Sequence, residues 1–216
     1  MGRIFIRGDT HGNYDWLREW CDKNNTTTDD ILIILGDSAL RFEGALTARE
    51  QARKSFIRSM PITIFCVRGN HDRPFVNQWQ LDCELVNYPF LEDKNPPMWH
   101  DIEYSNIWYF MDYGVYYIKN KSFLIVGGAY SVDKDWRIFN HWTWYPEEQL
   151  TTDEWIDLLF LQAMHSIPNH VVGCNQTYHS AQEYKHYEEE PRSSVRFIVM
   201  MMLEILHVAQ CINCDQ

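Results

Sequence analysis

Arg3-Ile4-Phe5-Ile6-Arg7 runs into Gly8-Asp9-Thr10-His11-Gly12, and the same succession returns twice further on. Ile31-Leu32-Ile33-Ile34-Leu35 leads into Gly36-Asp37-Ser38, and Ile62-Thr63-Ile64-Phe65-Cys66-Val67 leads into Arg68-Gly69-Asn70-His71-Asp72. Each unit is an apolar, β-branched run of strand length that ends in a polar loop around a glycine. Runs that are apolar throughout read as strands covered on both faces, as in parallel α/β sheets. Between them, segments 16–23 and 47–59 have helical spacing and charge. Strand–helix–strand alternation implies right-handed crossovers. Ligands of such sheets gather outside the carboxyl ends of the strands, where all three polar loops would sit.

Working outward, the pattern changes from Asn106. Segments 107–110, 115–118 and 122–126 read as short strands, with Asp112-Tyr113-Gly114 and Lys119-Asn120-Lys121 supplying the turns of a meander. Gly127-Gly128 opens another polar loop, 129–134. Thr151-Thr152-Asp153-Glu154 has the form of a capping box before the apolar segment 155–164, which predicts a helix. Val171-Val172 can begin one more strand, and beyond Cys174 the sequence turns polar and aperiodic before the apolar segment 195–209. With no solenoid-type repeat and no linker, the expectation is a single domain over 1–216, with 175–216 as an atypical tail.

A length of 216 residues suffices for a core without disulfides, and a content of 45% hydrophobic and 23% charged residues is that of a globular domain. Net charge is −11 with no run of Lys or Arg, which argues against a broad nucleic-acid surface. A phosphoester substrate stays compatible with it, because bound cations reverse the local sign. Cys66 reads as a small buried hydrophobe, and Cys211-x-x-Cys214 lacks the second pair that a zinc site needs. A charged strand rather than a leader at the N-terminus, and no apolar stretch of spanning length, set the expectation of a cytoplasmic protein without a membrane partner.

The chemistry lies in the three loops. Asp9 and His11 are two apart in an extended loop, so both side chains can reach one cation. Carboxylate with imidazole suits Mn, Fe or Zn better than Ca or Mg. Asp37 repeats the placement after the second strand, and the two oxygens of one carboxylate can bridge two cations about 3.5–4 Å apart. Asn70 offers a neutral hard oxygen. His71 beside Asp72 suggests an imidazole oriented by a carboxylate and able to protonate a leaving oxygen. Arg68 can contact phosphate, although an Arg before a turn is also an ordinary ion-pair partner. The first loop taken alone reads equally well as a plain turn, and Gly36-Asp37-Ser38 alone is a turn more often than a ligand; three successive strands each ending in glycine plus a metal-type ligand are hard to obtain that way.

The order Gly8-Asp9-Thr10-His11-Gly12, Gly36-Asp37-Ser38, Gly69-Asn70-His71-Asp72 resembles the calcineurin-like metallophosphoesterase signature, D-x-H, GD and GNH[DE]. The loop Gly127-Gly128-Ala129-Tyr130-Ser131-Val132-Asp133-Lys134 is similar to one in small bacterial and phage members. The resemblance implies a four-layer α/β/β/α sandwich and metal-dependent phosphoester hydrolysis at a dinuclear site. By it Asp9 and His11 bind one metal, Asp37 bridges, Asn70 binds the second, His71 contacts phosphate, and a metal-bound hydroxide attacks phosphorus. Catalytic roles fall to His71 and Asp72, and substrate contacts to Arg68, Asn70 and His71. The substrate would be a phosphomonoester, a phosphodiester or a phosphoprotein.

The family pattern continues with a single His and then Gly-His-x-His, and the second of these is absent from the chain. His179 stands about where the single His belongs, without its usual neighbours, and is the one further candidate metal ligand. The C-terminal part is therefore expected to be incomplete or divergent. A competing reading follows from this: a catalytically impaired relative that binds metal or phosphate, or serves as a protein-interaction module. A non-metal α/β binding domain would need all three loops to be coincidental turns.

Overall fold

The computed structural model describes residues 2–41, 47–75, 82–89, 95–131, 133–164 and 170–173. In chain order the elements are β1 (Ile4–Gly8), α1 (Leu17–Asn24), β2 (Ile31–Leu35), α2 (Ala48–Arg58), β3 (Thr63–Val67), β4 (Cys83–Val86), β5 (Met98–Asp101), β6 (Ile107–Tyr109), β7 (Tyr113–Ile118) and β8 (Lys121–Val126). They are followed by α3 (Lys134–Phe139), a 3₁₀ turn at Pro146–Glu148, α4 (Thr152–Met164) and β9 (His170–Gly173).

The three apolar runs are the parallel strands they were expected to be. They lie side by side in a six-stranded sheet of order β1-β2-β3-β6-β5-β4, in which β6 continues the parallel set, β5 runs opposite to it, and β4, antiparallel to β5, runs with the set again. Because β1, β2 and β3 step across the sheet in one direction, right-handed crossovers place α1 and α2 on the same face. Alternation of side chains confirms it: Leu32, Ile34, Ile64 and Cys66 pack with Leu17 and Cys21 of α1 and Ile57 of α2. Thr47 caps α2 by accepting from the Glu50 backbone N–H, while the Glu50 carboxylate accepts from that of Thr47.

The intervening positions, Ile31, Ile33, Phe65 and Val67, point the other way and meet Tyr116, Ile118, Phe123 and Ile125 of a second sheet, β7-β8-β9. The outer face of that sheet, through Val115, Leu124 and Val126, packs on Leu150 and Leu158 of α4. Helices, sheet, sheet, helix: this is the four-layer α/β/β/α arrangement. Lys119 and Asn120, both at positive φ, close the β7–β8 hairpin, with Ile118 paired to Lys121. The predicted capping box also forms, Thr151 accepting from the Glu154 N–H and Glu154 from that of Thr151.

Some features had no counterpart in the sequence reading. β4 and β5 are four residues each and owe their form to pairing, β4 with β5 and β5 with both β4 and β6, and α3 turns only six residues. Cys21, Cys66 and Cys83 are buried free thiols, as Cys66 was expected to be. Among the described residues no helix is long and apolar enough to cross a membrane.

Candidate metal centre

Gly8 pairs with Leu35, and Leu35 with Val67, so the loops after β1, β2 and β3 leave the sheet edge as immediate neighbours. Backbone bonds lock them together: His11 N–H donates to the Asp37 carbonyl over 2.8 Å, and Gly36 N–H to the Val67 carbonyl over 3.1 Å. The consequence is convergence. Ligand atoms of Asp9, His11 and Asp37 all lie within 4.8 Å of one another. His11 Nε2 is 2.8 Å from Asp9 Oδ2, and its Nδ1 is 4.0 Å from Asp37 Oδ2. Asp9 and His11 are exposed while Asp37 is buried, so the group opens to solvent on one side.

The third loop closes onto Asp37. The His71 backbone N–H donates to Asp37 Oδ1 over 3.0 Å. Asp37 and His11 both sit at positive φ, 42° and 46°, a conformation unfavourable for L residues that clusters at functional sites. Gly69 passes so close to Asp37 that a Cβ there would lie 2.1 Å from its Oδ1. Asn70 is buried, and its Nδ2 donates to Ser131 Oγ over 3.0 Å while its Oδ1 has no hydrogen-bond partner among the described residues. An orphaned buried acceptor is unfavourable unless something electropositive reaches it. The two carboxylates and the imidazole of Asp9, Asp37 and His11 are donors suited to divalent first-row cations.

Electrostatics agree with that assignment. Burial raises the pKa of Asp37, against the opposing His71 N–H bond. Burial, and after it the charge of Asp37, push Asp72 up to about 6. Carboxylates crowded out of water in this way gain most from a nearby positive charge. The ring of His71 is shifted down by burial, with Asp133 pulling in the opposite direction.

Two expectations are corrected here. Asp72 does not orient His71: its oxygens accept from the backbone N–H groups of Ser38, Ala39 and Gly69 and from Ser38 Oγ, stitching the second loop to the third. Neighbours in a tight turn diverge, and the carboxylate facing His71 is that of Asp133, with Oδ2 3.9 Å from Nε2. Arg68 does not project toward a ligand either. It is buried, bound by Nε and Nη2 to Asp112 at 2.7 and 3.0 Å, with Nη1 donating to the Glu148 carbonyl at 3.4 Å. Cys66 of β3 pairs with Tyr109 of β6, which puts Met111 level with Arg68 and Asp112 one residue further on, and a buried guanidinium requires such a partner. His179 lies outside the described residues.

The resemblance drew attention to the loop 127–134 without giving its individual residues a role. Ser131 and Asp133 reach the site from the loop after β8, which is tied to the first sheet by Gly128 N–H donating to the Arg68 carbonyl over 2.7 Å. The signal was present, a strand ending in Gly127-Gly128 followed by polar residues, as in the first three loops. Arg137 and Glu148, which bind Ser131, carry no local signal at all.

A family model described as calcineurin-like phosphoesterase matches residues 2–200 of the chain. No curated protein and no solved structure gives a significant match.

Proposed function

The chain belongs to the calcineurin-like phosphoesterase family, whose members hydrolyse phosphoesters with divalent metals, and from that premise we propose that it does so at a dinuclear centre held by Asp9, His11, Asp37 and Asn70. The carrying observation is the convergence of Asp9, His11 and Asp37 within 4.8 Å at the ends of two adjacent parallel strands, β1 and β2.

In this reading Asp9 and His11 hold one ion, the Asp37 carboxylate is shared, and Asn70 Oδ1 binds the second. When bound, the ions supply an activated water and offset the charge of the phosphoryl oxygens. Mn, Fe and Zn all suit the donors. His71, with its ring 6.3 Å from that of His11 and facing Asp133, donates a hydrogen bond to a phosphoryl or leaving oxygen. Asp72 keeps the second and third loops in register, and Arg68 supports their base rather than the substrate. The substrate is a phosphomonoester, phosphodiester or phosphoprotein. The tail 175–216, with His179, is left out of the assignment.

The test is release of nitrophenol from an aryl phosphate with added Mn²⁺, wild type against Asp37→Ala. Loss of a shared ligand removes several kcal/mol of charge stabilisation, so activity should fall on the order of a hundredfold or more. Wild type and variant equally inactive would overturn the assignment of hydrolysis. Metal binding without turnover would favour the impaired relative.

A further inference from the structure

Asn70 is an amide, and only one of its two ends can serve a cation. Which end faces the site is settled behind it. Asn70, Ser131, Arg137 and Glu148 are each 3% exposed or less. The Ser131 hydroxyl accepts from Asn70 Nδ2 at 3.0 Å and from Arg137 Nη1 at 3.1 Å, and lies against Glu148 Oε2. Arg137 also donates to both carboxylate oxygens of Glu148, through Nη1 at 3.2 Å and Nη2 at 2.8 Å, and through Nε to the Thr143 carbonyl at 2.9 Å.

A hydroxyl has one hydrogen, and of these neighbours only Glu148 can accept it. The lone pairs of Ser131 Oγ are then all that remain for Asn70, so the amide must present its NH₂ group. Rotated by half a turn, Asn70 would set Oδ1 against an oxygen with no hydrogen to give. The hydroxyl thus fixes Oδ1 on the opposite side, where it has no hydrogen-bond partner among the described residues.

We propose that Ser131, Glu148 and Arg137 form a buried clamp that orients the Asn70 amide, and so act as positioning residues for the second metal ion. This rests on the dinuclear reading above. It also gives the buried Arg137–Glu148 pair a role, since such pairs add little stability for their desolvation. The clamp spans residues 131–148, in the segment that follows β8, and meets the loop after β3 through Asn70 and through the Glu148 carbonyl, which accepts from Arg68 Nη1.

Titration calorimetry of the metal-free protein with Mn²⁺ tests it. Wild type should bind two ions. Ser131→Ala should weaken the second by about 10–100-fold, the usual effect of losing an outer-shell partner, and leave the first unchanged. Ser131→Cys, nearly the same size with a weak donor, should fall between them and covers failure of the alanine variant to fold. In an Asn70→Ala background, Ser131→Ala should cause no further loss of affinity, because a positioning residue has nothing left to position. Additive losses, or an undiminished second site in Ser131→Ala, would overturn the clamp alone. A wild type that binds no Mn²⁺ would overturn the metal centre itself.

Discussion

The sharpest structural consequence concerns Gly69, which can be set against Gly8, another glycine of the same loops. A Cβ on Gly69 would meet Asp37 Oδ1 at 2.1 Å and the Asp37 backbone nitrogen at 2.2 Å, whereas ordinary contact begins at 3.4 Å. The carboxylate can rotate aside, but the nitrogen cannot. Asp37 N must retreat by about 1.2 Å in a loop already at positive φ and bonded to His11 and His71. Overpacking of this kind costs about 1–3 kcal/mol, which at this chain length is a melting temperature lower by roughly 3–10 °C. Displacing Asp37 should also weaken Mn²⁺ binding by more than about tenfold, since ligand orientation by neighbouring groups commonly carries that much affinity. On Gly8 the same methyl group meets nothing within 4 Å. Gly8→Ala should therefore melt within about 1 kcal/mol of wild type and bind Mn²⁺ normally. Thermal denaturation and calorimetry of the two variants make the comparison. Equal behaviour would refute the close packing of the third loop on Asp37.

Two further outcomes concern the framework. Lys54 is fully buried with Nζ 2.6 Å from Asp101, and its other carboxylate, Asp82 at 3.9 Å, is shared with Arg41 and Arg73. Asp101→Ala should lower stability in urea by about 3–5 kcal/mol because it strands a buried ammonium, and Lys54→Met in the same background should recover part of the loss; a change under about 1 kcal/mol would contradict the pairing. Asp30 accepts from the side chain and backbone of Arg3 and from the Thr27 N–H, which hold its carboxyl well below the usual range. A depressed native pKa contributes stability that is present above the unfolded value of about 3.9 and is lost as pH falls toward the native one. Between roughly pH 5 and pH 2, wild type should therefore lose more stability than Asp30→Asn, and parallel urea midpoints would exclude the linkage.

Much of the architecture was legible because its cause is local. An all-apolar run such as Ile31-Leu32-Ile33-Ile34-Leu35 has one economical environment, a strand covered on both faces, and β2 is that strand. The capping boxes at Thr47 and Thr151 depend on residues three apart. By contrast, β4 is a strand because it finds β5, with Leu85 opposite Trp99, and β5 because it lies between β4 and β6; four-residue segments with mixed polarity announce nothing by themselves. Asp72 and Arg68 were misassigned for a related reason. Their neighbours in the chain suggested His71 and phosphate, while their actual partners, Ser38 and Asp112, lie 34 and 44 positions away.

By itself the sequence determined that three strands end in glycine, carboxylate, imidazole and amide groups, because strand length and period place such residues at one sheet edge whatever else happens. Tertiary structure alone decided that Asp133 rather than Asp72 faces His71, and that Ser131, held by Glu148 and Arg137, takes the NH₂ end of the Asn70 amide. Direction in a loop is set by the hydrogen-bond partner across the fold, and a partner brought in by packing of a second sheet leaves no trace in local spacing.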